Sequence, residues 1–138
     1  MRLADSNIAL AVLLSFVPLS DLVAVDKQFH DAPDSAKAMK NPYEGQQAAA
    51  DTGKTLYARN CLACHGKTGQ GIGSAPSLVD GALKSVPSGE VFWFISQGDT
   101  DNGMPSWAFL PEEKRWQIVT YVKSLAAGKG AERQVGKN

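Results

Sequence analysis

Two cysteines three positions apart, followed at once by a histidine, constrain this chain more than any other feature: the run reads Cys61-Leu62-Ala63-Cys64-His65. The chain has no other cysteine, so no disulfide framework can stand in for a core. A bond between these two would close a loop too small to restrain the unfolded chain much. A thioredoxin-like dithiol follows a strand in a βαβ unit, and no segment here alternates apolar and polar residues between turn signals. A structural zinc site takes about four Cys or His ligands, whereas the one other histidine, His30, lies in a polar stretch.

The rest of the chain reads as a leader, one small helical unit and a tail. Behind Arg2, residues 8–19 form an uncharged apolar stretch, shorter than the roughly 20 residues that span a bilayer. It fits a secretory signal peptide over residues 1–24, cleaved after Ala24, so we expect export to the periplasm and no stable membrane span. Residues 25–50, rich in Asp, Lys, Ala, Gln and Pro, lack apolar periodicity and are expected to be a flexible leader, helical in places at most. Asp51 or Thr52 is placed to cap a helix running to Asn60. Ser88 is placed to cap a second, stopping at Gly98, with Val91, Phe94 and Ile95 on its apolar face. Pro111 suits the first position of a third, with Glu112 and Glu113 at its positive end and Ile118, Tyr121, Val122 and Leu125 as its buried stripe. Gly128 ends it, and residues 128–138 read as a loose tail. The expected fold class is therefore all-α, with one domain over residues 51–127. Formal net charge is zero and no run of like charges stands out, which argues against nucleic acid as a partner, since phosphate binding needs clustered Lys and Arg.

A unit of roughly 75 residues is small for an independent core and ordinarily needs a disulfide, a metal or a cofactor. The Cys-x-x-Cys-His spacing meets that need, because it is the spacing of c-type haem attachment. Two thiols one helical turn apart match the separation of the haem vinyl groups and add to them as thioethers, and the adjacent histidine falls beneath the iron. We therefore expect one covalent haem c on Cys61 and Cys64, with His65 as proximal ligand. Gly66, Gly69, Gly71 and Gly73 follow, and glycines tolerate positive φ and close approach of backbone to a bulky group. Iron with histidine on one side can take methionine on the other, which raises the reduction potential. Met1 is the initiator and Met39 lies in the leader. Met104, in Gly103-Met104-Pro105 on a loop between two helices, is the candidate sixth ligand, although a lone methionine is more often a soft core filler.

Over residues 51–127 the chain resembles the class I cytochrome c family. Besides the haem motif, Gly53 and Tyr57 precede Cys61 as the family's glycine and aromatic do where its first and last helices cross. Tyr121 falls where the family places the aromatic partner on the last helix. Such a glycine lets two helix backbones come close while the rings fill the space beside them. The resemblance implies a small fold of three to five short helices wrapped around one covalent haem. It also implies that the Pro76 carbonyl, in Ala75-Pro76-Ser77-Leu78, accepts the Nδ1–H of the haem histidine, which fixes its tautomer. Through Asn41-Pro42-Tyr43, Gly53-Lys54-Thr55-Leu56-Tyr57 and Cys61 to Gly66, the chain is further similar to small cytochromes that accept electrons from quinoprotein (pyrroloquinoline quinone) alcohol dehydrogenases.

His65 and Met104 together would leave no coordination position open to substrate. The expected role is therefore outer-sphere electron transfer, not enzyme catalysis. A quinoprotein alcohol dehydrogenase would be the donor, and a terminal oxidase or another cytochrome the acceptor. The alternatives are a tightly held cytochrome subunit of a dehydrogenase or oxidase, and a haem-based ligand sensor. Mitochondrial members of the family carry a ring of lysines around the haem edge. Here acidic and basic residues balance over residues 51–127, so an apolar docking patch including Ile72, Trp107 and Phe109 is expected instead. Leu78, Phe92, Trp93, Phe94 and Ile95 are the expected wall of the haem pocket.

Overall fold

The computed structural model describes residues 32–79 and 82–128. The expected signal peptide, His30 and nearly all of the expected tail lie outside these residues. The helices among the described residues are α1 (Asp34–Lys37), α2 (Gln47–Asn60), α3 (Leu62–His65), α4 (Ala82–Ser85), α5 (Ser88–Gln97) and α6 (Glu112–Ala126), with a 3-10 turn at Thr100–Asn102. Extended pairing among the described residues is confined to one bridge, between Asp99 and Met104. The all-α expectation holds, with α2, α5 and α6 as the main helices. No helix of the described residues is long and apolar enough to cross a membrane.

The centre of the domain is α6, which packs against α2, α5 and α4. Every residue from Trp116 to Val122 is buried. A helix covered on one side only would show a stripe. The expected stripe of Ile118, Tyr121, Val122 and Leu125 is buried, and Trp116, Gln117, Val119 and Thr120 are buried with it. The tightest approach is the crossing of α2 and α6. A Cβ placed on Gly53 would lie 1.9 Å from the Gln117 carbonyl oxygen and 2.9 Å from the Tyr121 Cβ. Only glycine allows the two backbones to touch there. Beside it the rings of Tyr57 and Tyr121 meet edge-on, centroids 5.3 Å apart, an arrangement that adds about 0.5–1.5 kcal/mol beyond area burial.

The helix ends depart from the sequence expectations in instructive ways. Helix α2 starts at Gln47, not at Asp51 or Thr52. Ala48, Ala49 and Ala50 have the strongest helix propensity, and Ala49 and Ala50 are buried. Asp51 is thus mid-helix, where its carboxylate accepts from Gln47 Nε2 at 2.8 Å. Helix α5 begins with Ser88 as its first residue after Pro87, and no side chain caps it. Its buried face is Val91, Phe92 and Ile95, with Phe94 only half-buried. Gly98 ends it at φ +74°, as expected. Pro111 stands just before α6, with Glu112 the first helical residue.

The largest difference concerns residues 32–50, which were expected to belong to a loose leader. Ala32, Ala36, Asn41, Ala49 and Ala50 are buried. Helix α1 packs on α5 so closely that a Cβ on Gly89 would lie 2.0 Å from the Ala36 carbonyl oxygen. Asn41 Nδ2 donates to Thr120 Oγ1 at 3.0 Å, across the interior. Small residues and one buried amide make this contact, so no apolar periodicity marks it in the sequence.

Candidate functional site

The Cys-x-x-Cys-His run is one helical turn. Helix α2 closes onto it through the Cys61 amide, which donates to the Tyr57 carbonyl at 2.8 Å. The His65 amide then donates to the Cys61 carbonyl at 2.9 Å. Both thiols are free, Cys61 half-buried and Cys64 exposed. Burial, then the neighbouring Cys64, pushes the Cys61 thiol up to about 11, so it is protonated at neutral pH. The histidine is half-buried, and its Nδ1 lies 3.3 Å from the Pro76 carbonyl oxygen. A carbonyl can only accept, so this contact places the ring proton on Nδ1 and leaves the Nε2 lone pair available. Burial lowers the His65 pKa, while the Pro76 contact pulls it the other way. The lowered pKa keeps the imidazole neutral, the form in which it ligates a metal.

The loop that carries Pro76 is folded back on the turn. Gly71 N donates to the His65 carbonyl and Ile72 N to the Cys64 carbonyl, both at 2.9 Å. Gly71 has φ +81°, and a Cβ there would lie 2.4 Å from the Ala75 carbonyl oxygen, so glycine is required for the return. One further anchor escaped sequence reasoning. The buried Tyr57 hydroxyl donates to the Gly66 carbonyl at 2.7 Å, immediately after His65. Burial first, then Cys61 and Tyr121, raises the Tyr57 pKa above its ordinary value, so the hydroxyl stays a donor. The motif pattern shows an aromatic ring at Tyr57 but cannot show what its hydroxyl reaches.

Cys61, Cys64, His65 and Pro76 are therefore brought together. Met104 comes from a separate loop. It is half-buried and packs, as Cys61 does, against the domain's hydrophobic core. Its own amide and carbonyl exchange two 2.8 Å hydrogen bonds with Asp99. Of the expected docking residues, Phe109 is 73% and Ile72 54% exposed, and Trp107 is half-buried. Of the expected pocket wall, Phe92 lies in the α5–α6 interface. It stacks on Trp116 with centroids 4.0 Å apart, while Trp93 and Phe94 are half-buried and edge-on to each other. The donors brought together suit a haem c: two free thiols one turn apart and a neutral imidazole oriented through Nδ1.

A small all-helical domain built on this two-cysteine turn is a cytochrome c-type domain. Residues 48–122 match the family described as cytochrome c oxidase, cbb3-type, subunit III, and the chain belongs to that family. It is 32% identical over 90 residues to the cbb3-type cytochrome c oxidase subunit CcoP of Azospirillum brasilense, covering 59% of this chain and 30% of that protein. To a CcoP subunit of Rhodobacter capsulatus it is 29% identical over 92 residues, covering 59% and 31%. The similarity thus spans less than a third of the length of these relatives. A cytochrome c-type domain is an electron-carrying module and implies a covalent haem c, with the Cys61 and Cys64 pair in place. Neither the family nor these relatives support a quinoprotein alcohol dehydrogenase as partner.

Proposed function

We propose that this chain carries single electrons as a tightly held cytochrome of an oxidase assembly, in preference to a free shuttle. The Cys61–His65 turn, with His65 oriented by Pro76, is the observation that carries the electron-transfer part. The likeness to cbb3-type CcoP subunits supports the oxidase setting. In this reading Cys61 and Cys64 form the thioethers, His65 Nε2 is the proximal ligand, and Met104 sulfur is the sixth. A bound haem supplies a one-electron couple whose potential depends on axial ligands, burial and nearby hydrogen bonds. The chain's own residues set those conditions. Pro76 holds the imidazole tautomer, and Tyr57 holds the backbone beside it. Exposed Phe109 and Ile72 offer apolar area for a partner. We place the protein in the periplasm, on the strength of the apolar stretch at residues 8–19.

Affinity purification of the tagged full chain from detergent-solubilised membranes of its native host tests the setting. The proposal expects a terminal oxidase to co-purify, and expects the haem to be oxidised by oxygen in that preparation. Recovery of the cytochrome alone in the periplasmic fraction, oxidised only after adding a separate oxidase, would favour the free shuttle.

A further inference from the structure

The Met104 loop, residues 99–110, is fastened to the rest of the domain at three places. At its start the loop is closed on itself by two Asp99–Met104 hydrogen bonds and is seated against Gly98 at the end of α5. A Cβ on Gly98 would lie 2.6 Å from the Pro105 carbonyl carbon and 2.7 Å from the Met104 oxygen. In the middle, Ser106 Oγ donates to the Ser96 carbonyl at 2.6 Å and Trp107 N donates to the Ile95 carbonyl at 3.0 Å. Both acceptors are end carbonyls of α5, which lack helical partners of their own. At its far end, Arg115 Nε donates to the Leu110 carbonyl at 3.1 Å.

Arg115 joins these fastenings. Its Nη1 donates to the hydroxyl of Ser96, the residue whose carbonyl receives Ser106. Its guanidinium carbon sits 4.7 Å above the Phe92 ring, and that ring is stacked on Trp116. One half-buried cation on α6 therefore grips the loop's exit through Leu110. It also grips the end of α5 that holds the loop's middle. A planar fork of fixed donors can bind two such acceptors at once, whereas an ammonium on a flexible stem holds them less firmly.

The geometry points to Arg115 as a positioning residue that keeps Met104 on the iron by clamping its loop between α5 and α6. This rests on the reading of Met104 as sixth ligand. Arg115 touches neither the Cys-x-x-Cys-His turn nor Pro76 in any of these bonds, so its loss should free the methionine side and spare the histidine side.

The test uses the haem-loaded full chain and three variants. Arg115→Met keeps the apolar stem over Phe92 and removes the donors. Ser106→Ala removes one fastening only. Asn41→Ala breaks the Asn41–Thr120 bond, away from the loop, as a control for lost stability. The readouts are the far-red absorption of methionine sulfur on ferric iron, the pH at which it disappears, and the rate of carbon monoxide binding to the reduced protein. In Arg115→Met the haem should stay covalently attached. The band should vanish about one pH unit lower than in wild type, a tenfold change in the competition for iron, and carbon monoxide should bind faster. Ser106→Ala should shift the same way by less, and it carries the test alone if Arg115→Met does not fold. Asn41→Ala should lose stability and keep the wild-type band. A wild-type band in Arg115→Met and Ser106→Ala, or an equal shift in Asn41→Ala, would overturn the role of Arg115. Absence of the band from wild type itself would instead remove Met104 as ligand, a distinct failure.

Discussion

At the scale of single residues, the site is held by contacts to backbone carbonyls more than by side-chain pairs. Tyr57 is the clearest case, because its hydroxyl reaches the Gly66 carbonyl from within the α2–α6 crossing. Tyr57→Phe keeps the ring and removes the shorter of the Gly66 carbonyl's two bonds, leaving the one from the Gly69 amide at 3.3 Å, at a cost of about 0.5–1.5 kcal/mol. Urea unfolding should show a lower midpoint with an unchanged slope, and an unchanged midpoint would show the bond to be idle. The Cys61–His65 turn was legible in the sequence, because a five-residue spacing marks it and one helical turn realises it. Pro76 was legible only by family resemblance, and its place 3.3 Å from His65 Nδ1 agrees. Tyr57's hydroxyl and Arg115 were not legible. The Tyr57 hydroxyl and Arg115 Nε reach main-chain carbonyls, which leave no mark on side-chain identity, and the Ser96 hydroxyl and Phe92 ring that Arg115 also meets lie on another helix.

At the scale of elements, two positions decide how the helices pack. Gly53→Ala would ordinarily help a helix by about 0.5–1 kcal/mol. Here the new methyl would meet the Gln117 carbonyl, so the sign reverses and the crossing must open. We expect a loss of about 1–3 kcal/mol or more, read as a lower thermal midpoint of the haem-loaded protein; a stabilised variant would show that the helices can part freely. Lys123 fixes the short helix α4. Its ammonium donates to the carbonyls of Leu83, Lys84 and Val86 at 2.9, 3.0 and 2.6 Å, a cation at a helix C-terminus where the dipole favours it. Lys123→Met should destabilise the domain by about 1.5–3 kcal/mol, the range for hydrogen bonds to charged groups, and should speed amide hydrogen exchange in α4. Protection equal to wild type would contradict that role. The stripe of α6 was readable from its period, but the burial of its other faces was not. That burial depends on how many helices surround it, which a single helix does not encode.

At the scale of the whole molecule, the domain is larger than its haem motif suggests. The segment ahead of α2 closes over α5 and α6 through Ala36 and Asn41, and supplies core that a unit of residues 51–127 would lack. Asn41→Ala should therefore cost about 1–3 kcal/mol, since it removes the bond to Thr120 Oγ1 and the acceptor of the Tyr43 amide at once. An unchanged denaturation midpoint would return the segment to the status of a leader. The sequence pattern hid this because alanines and one amide carry the contact. The fold class and the haem turn were legible because both are set by local spacing; the packing of the strap and the clamp on the Met104 loop were not, because both are set by long-range contact. The central claim is that Cys61 and Cys64 hold a haem covalently with His65 on its iron. It is tested most directly by denaturing the protein purified from its native host, extracting it with acid-acetone, and recording the visible spectrum of what remains on the chain. The account predicts haem retained by the wild type with a sharp c-type spectrum on reduction, and haem released from the Cys61→Ser, Cys64→Ser double variant. A wild-type chain that emerges from the extraction without haem would contradict it.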